Sequence, residues 1–113
     1  MLQRIRALVV GINAYPGAPL DNAVNDAKAM KALLESKDVE VFDIYDCNIT
    51  DLTAKTDEFV DALQEGDAAM VFFAGHGVEY NNTNRLVAIT QSGVADLRNE
   101  ALNALVLLNR LEP

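Results

Sequence analysis

One cysteine, one histidine and only nine basic residues against seventeen acidic ones are the scarcities that bound this 113-residue sequence. A single thiol cannot build an internal disulfide framework or a Cys-rich zinc site, and it is compatible with a reducing compartment. The deficit of Lys and Arg leaves a net charge of −8 and a pI of about 4.4. That balance argues against nucleic acid as a partner; it suits basic partners or substrates better, though weakly. Long hydrophobic runs are also missing. The opening Met1-Leu2-Gln3-Arg4-Ile5-Arg6 carries basic residues, but the apolar stretch behind it breaks at Gly11 and Asn13. It is too short for a signal peptide or a membrane span, so we expect a soluble, cytoplasmic protein with no membrane partner. Repeats and low-complexity segments are absent. What is present is 50 % hydrophobic residues, enough for one modest core. The length fits a single domain over 1–113.

The pattern along the chain alternates strand and helix. Ile5–Gly11 reads as a buried strand, and Ile12–Leu20, with Pro16, Gly17 and Pro19, as a loop. Asp21 or Asn22 is the expected cap of a helix over 22–36, in which Ala23, Ala27, Met30 and Leu34 recur at helical spacing. Val39–Tyr45 reads as a second strand, ended by Asp46-Cys47-Asn48. Thr50 is the expected cap of a second helix carrying Leu52, Phe59, Val60 and Leu63, stopped at Gly66 in the manner of a C′ glycine. Ala68–Ala74 is a third, buried strand with Phe72 and Phe73 in the core. Asn81–Asn84 reads as a polar turn, Arg85–Ile89 as a short strand, and Asp96–Leu111 as a helix with Leu97, Ala101, Leu105, Leu108 and Leu111 on one stripe. The order β-α-β-α-β implies an α/β fold, a mainly parallel sheet between two helical layers. Ligands in such sheets bind at the carboxyl ends of the strands.

Three segments fall at those ends: the Ile12–Leu20 loop, Asp46–Asn48, and Gly75-His76-Gly77 behind the third strand. His76 is the one histidine of the chain. An imidazole between two glycines, at the end of a buried strand, is suited to general-base chemistry. The plain alternative is a turn with a solvated His. Asn13 and Tyr15 in the first loop are candidate substrate contacts, with turn chemistry and packing as their alternatives. Asp43, Asp46, Asp51 and Asp57 read as a solvated acidic face.

Several stretches resemble the caspase-like fold of cysteine endopeptidases, and within it the metacaspases and paracaspases. They are Ala7-Leu8-Val9-Val10-Gly11-Ile12-Asn13-Ala14-Tyr15, Leu20-Asp21-Asn22-Ala23-Val24-Asn25-Asp26-Ala27, Val71-Phe72-Phe73-Ala74-Gly75-His76-Gly77, Arg85-Leu86-Val87-Ala88 and Asp96-Leu97-Arg98-Asn99-Glu100-Ala101-Leu102. The resemblance implies a three-layer α-β-α sandwich and a polypeptide substrate. It implies that His76 is the base of a Cys/His dyad and that Gly77 is placed to donate to an oxyanion. Asp26 matches an acidic position that binds a basic residue on the amino side of the cleaved bond.

The sequence departs from that pattern at the nucleophile. A thiolate is expected on a strand following the His, yet the one thiol is Cys47, after the second strand. In the family's strand order the first strand separates the two, which puts Cys47 and His76 roughly 10 Å apart at the start. Cys47 is therefore expected to be an ordinary loop or half-buried thiol. The chain reads as the His-bearing part of a peptidase domain cut short at its C-terminus, inactive alone, with a partner chain or a further segment at its sheet edge. The other reading is an inactive caspase-like interaction module. A signalling receiver domain, similar in length and acidity, lacks its carboxylate cluster here. No cofactor is expected. Calcium, which many metacaspases use, finds only Glu79 between His76 and Asp96, so no metal site is expected either.

Overall fold

The structure is a computed structural model that describes residues 4–17, 19–80, 83–87 and 101–103. Its centre is β1 (Ile5–Gly11), and the reason is visible in the residues. Ala7, Leu8, Val9 and Val10 are all at most 1 % exposed, so both faces of the strand are covered. Successive side chains alternate faces. Leu8 and Val10, with Ile12 beyond the strand, join a cluster with Leu52 and Phe59, while Ala7 and Val9 join another with Ala27 and Leu34. Those partners lie on α2 (Ile49–Ala62) and α1 (Ala23–Glu35), so the helices cover opposite faces. β2 (Glu40–Tyr45) and β3 (Ala68–Ala74) flank β1 in parallel, in the order β2-β1-β3. Gly11 pairs with both Tyr45 and Ala74, so the three carboxyl ends finish level. This is the α/β layering and strand order expected.

At the opposite end of the sheet, Arg6 spans all three strands. Its guanidinium lies 3.0 Å from Glu40 and 3.0 Å from Asp67, the residue leading into β3. The Nε–H is not aimed along the Asp67 contact, so that attraction is chiefly electrostatic. A buried guanidinium held by two carboxylates is tolerated because neither charge is left alone.

Local signals at helix ends are where the structure corrects the sequence reading. Asn48, not Thr50, caps α2: Asn48 is extended and its Oδ1 accepts the Asp51 N–H at 2.9 Å, while Thr50 is already helical. Gly66 is not the residue that ends α2. The helix stops at Ala62, Leu63 turns extended, and Gly66 (φ 89°) sits in a following turn closed by Asp67 N–H to Gln64 O. Asn22 occupies the start of α1 but makes no side-chain cap bond. β3 is less buried than expected: Ala69 and Met70 are exposed, and Phe72 and Phe73 are half-buried.

Beyond β3 the chain forms an antiparallel sheet, β4-β5-β6, from β4 (Gly77–Tyr80), β5 (Thr83–Val87) and β6 (Ala101–Asn103). The expected strand at Arg85–Ile89 is present as β5, begun two residues earlier. The helix expected over Asp96–Leu111 is overturned at Ala101–Asn103, which pairs with Arg85–Val87 as a strand. An open strand edge offers backbone partners that outweigh a helical side-chain stripe. The rest of that segment, and the linker 90–95, lie outside the described residues. Among the described residues, no helix is long and apolar enough to cross a membrane.

Candidate active site

The level carboxyl ends of β2, β1 and β3 are bound together by backbone and side-chain hydrogen bonds. Ile12 N–H donates to Ala74 O at 2.9 Å, joining the start of the first loop to the end of β3. Asp46 N–H donates to Gly11 O at 2.9 Å, joining β1 to the end of β2. Asp46 then turns into the left-handed region (φ 48°), and its Oδ1 accepts from Asn13 N–H at 2.8 Å and Ala14 N–H at 3.1 Å. Asp46 is thus the pin of the first loop rather than one more solvated carboxylate. Its signal in the sequence was an Asp directly after a strand, a residue type that tolerates positive φ and accepts from nearby backbone.

Asn13 passes the ordering on. Its Oδ1 accepts the Val24 N–H at 3.0 Å, so it caps α1 from a distance in the place where Asp21 or Asn22 was expected. Gly11 makes this approach possible: a Cβ there would fall 2.6 Å from Ala27 Cβ and 3.0 Å from Ala23 O. Asp26 is exposed in the first turn of α1, the end that Asn13 ties to the loop.

Tyr15 and His76 are brought together. Tyr15 is 6 % exposed, and its hydroxyl oxygen accepts the His76 backbone N–H at 3.0 Å. The two rings lie 4.4 Å apart between centroids, tilted by 49°. Burial pushes the Tyr15 phenol up to about 12, with Cys47 and Asp46 adding to the rise against the opposing His76 hydrogen bond. His76 is half-buried, and Gly77 behind it is exposed and opens β4.

Cys47 packs in the same cluster as Tyr15 but stands behind a different strand from His76. It follows β2, with β1 between it and β3, and it is 4 % exposed in the cluster under α2. Burial, then the Asp51 carboxylate, pushes its thiol up to about 11. Such a thiol is a packing group, not an activated nucleophile. Among the described residues, no three or more His, Cys, Asp or Glu side chains converge to hold a metal ion.

The α/β layering and the all-parallel three-strand sheet agree with a comparison against protein families, in which the caspase domain matches residues 4–111. The chain belongs to the caspase-domain family. A comparison with curated proteins found no match. For a caspase domain the matched span takes in β1 through β6, and it supports a cysteine-peptidase type of function.

Proposed function

We propose that the protein is the His-bearing part of a cysteine endopeptidase that cleaves polypeptides after Arg or Lys. The observation that carries this is His76 at the carboxyl end of β3, against the first loop, in a chain matched by the caspase domain. The nucleophile comes from outside these residues, on a strand that pairs along the edge of β3 remote from β1, where the described residues carry none. The metacaspase and paracaspase type is the closest fit to the residues around Asp26 and His76.

The chemistry is acyl transfer and needs no cofactor. The thiolate attacks the peptide carbonyl, and the negative charge moves to the oxygen, where the Gly77 N–H donates to it. The tetrahedral adduct collapses as the His76 imidazolium protonates the leaving amine, leaving a thioester. His76, now neutral, takes a proton from water, which attacks the thioester and releases the carboxylate product and the thiolate. Asp26 faces the basic side chain on the amino side of the cleaved bond. Asp26 lies in the first turn of α1, the end of the helix that carries partial positive charge.

The protein made from its whole reading frame should hydrolyse peptide-library members with Arg or Lys at that position, and Asp26→Ala should lower kcat/KM for them at least tenfold. The 113-residue chain alone should show no turnover. A preference for Asp, or a basic preference untouched by Asp26→Ala, overturns the assignment of Asp26.

A second reading, an inactive caspase-like interaction module, is favoured by one observation: the sole thiol of the chain is the buried Cys47. A chloromethyl ketone peptide ending in Arg separates the two. Covalent labelling of a cysteine other than Cys47 supports the peptidase, and no labelling of the whole protein supports the module.

A further inference from the structure

The imidazole of a general base must be held at a set angle to its partner, and a loop between two glycines does not hold it. Gly75 and Gly77 flank His76, and His76 lies beyond the last residue of β3, Ala74. Something outside β3 has to fix it. We infer that Tyr15 is a positioning residue for His76, its hydroxyl oxygen anchoring the His76 backbone N–H and its ring setting the tilt of the imidazole.

Three observations support this beyond the contact itself. First, the contact is built from both sides. A Cβ on Gly75 would fall 2.5 Å from Tyr15 Oη and 3.0 Å from the Phe73 ring, so the residue before His76 must lack a side chain for the hydroxyl to reach the backbone. The tight fit, rather than backbone conformation alone, accounts for a glycine there. Second, Tyr15 is itself held. Its ring is in the cluster with Leu8, Val10, Ile12 and Cys47, and its N–H donates to Asn13 O at 2.9 Å. Asn13 and Ala14 are in turn fixed by Asp46. The order therefore runs from the end of β2, through the first loop, to the histidine behind β3. Third, the acceptor keeps its proton well above neutral pH. Burial disfavours ionisation of the Tyr15 phenol most, the His76 N–H opposes that, and Cys47 and Asp46 add to the rise, which leaves the phenol held up to about 12. A neutral hydroxyl therefore remains throughout the physiological pH range.

This inference rests on the assignment of His76 as the general base, and the experiment separates the two. His76 is the sole histidine, so its imidazole gives one unambiguous pair of ring signals in NMR. In the 113-residue chain, Tyr15→Phe removes the acceptor and keeps the ring, and Gly75→Ala pushes the hydroxyl away and keeps Tyr15. Both variants should speed exchange of the His76 amide roughly five- to tenfold, the size expected for loss of one hydrogen bond. Both should also shift and broaden the imidazole signals, with the amides of β1 and β2 unchanged. In the whole enzyme, Tyr15→Phe should lower kcat about three- to tenfold with KM within about twofold, since a misaimed base costs the chemical step and not binding. Unchanged His76 amide exchange in both variants overturns the inference, whatever the enzyme does. A rise in KM with kcat intact also overturns it and makes Tyr15 a substrate contact. The NMR readout involves no turnover, so a protein without peptidase activity that still shows the coupled loss retains Tyr15 as the anchor of His76 and sinks only the proposed reaction.

Discussion

At the scale of single residues, Cys47 shows how burial decides chemistry. Its thiol is pushed from 9.0 up to about 11 because ionising it would place a charge in an apolar cluster beside Asp51. In the unfolded chain the thiol ionises around pH 9, while the folded chain still holds its proton. The folded state therefore binds more protons between pH 9 and 11, and stability falls as pH rises through that window. The loss should reach up to about 2 kcal/mol by pH 11, and Cys47→Ala should flatten that limb in urea unfolding series. Tyr15 and Tyr45, both held up to about 12, add a further fall above pH 10. Iodoacetamide at pH 8 should modify native Cys47 at least tenfold more slowly than the unfolded chain. The sequence reading placed this thiol on a loop or half-buried, and its removal from the chemistry was legible from strand order. Its depth was not, because that depends on α2 closing over the end of β2.

At the scale of elements, two aspartates share a backbone conformation for different reasons. Asp38 (φ 62°) follows α1, where Val39 N–H donates to Leu34 O and Asp38 N–H to Glu35 O, the pair of bonds of a Schellman motif. Leu34 and Val39 pack together in one cluster, the hydrophobic contact that accompanies the motif. Nothing in that arrangement uses the Asp38 side chain, so Asp38→Gly should raise stability by about 0.5–1 kcal/mol and Tm by a few degrees. Asp46 (φ 48°) is different, since its carboxylate holds Asn13 and Ala14. Asp46→Gly relieves the same strain and loses two charge-assisted hydrogen bonds, each worth about 1.5–3 kcal/mol, so it should be net destabilising. Thermal unfolding by circular dichroism checks both. Equal gains from the two changes would show that the Asp46 carboxylate contributes nothing. Both helices and all three parallel strands could be read from periodicity, α1 and the strands to within about a residue, whereas α2 (Ile49–Ala62) starts before the Thr50 cap expected and stops short of Gly66. The α1 cap could not, because Asn13 reaches that helix from eleven positions away and no local pattern records it, whereas Asn48 caps α2 by a local bond to Asp51, two residues before the Thr50 expected.

At the scale of the molecule, the parallel sheet has β1 at its centre and β3 at its side among the described residues. The exposed Met70 and the half-buried Phe72 and Phe73 make that side apolar. Strand edges of this kind pair with other chains. The 113-residue chain should therefore associate with rising concentration in sedimentation, and more strongly as salt screens the net charge of −8. A monomer at all concentrations, unfolding cooperatively, would show that the edge is covered within the chain.

What the sequence determined by itself is the three parallel strands and two helices from Ile5 to Ala74, their order, and the family they belong to. Ile5–Gly11 reads as a buried strand, and Gly75-His76-Gly77 as the stop of another, because hydrophobic period and glycine chemistry are local properties. The three-residue strand at Ala101–Asn103 was beyond such reasoning, since its partner β5 lies some sixteen residues earlier and its own residues favour a helix equally. The roles of Asp46, Asn13 and Tyr15 were decided by tertiary structure alone. Each acts on a backbone group eleven to sixty-one positions away. Only the level ends of three parallel strands bring those groups within hydrogen-bond distance.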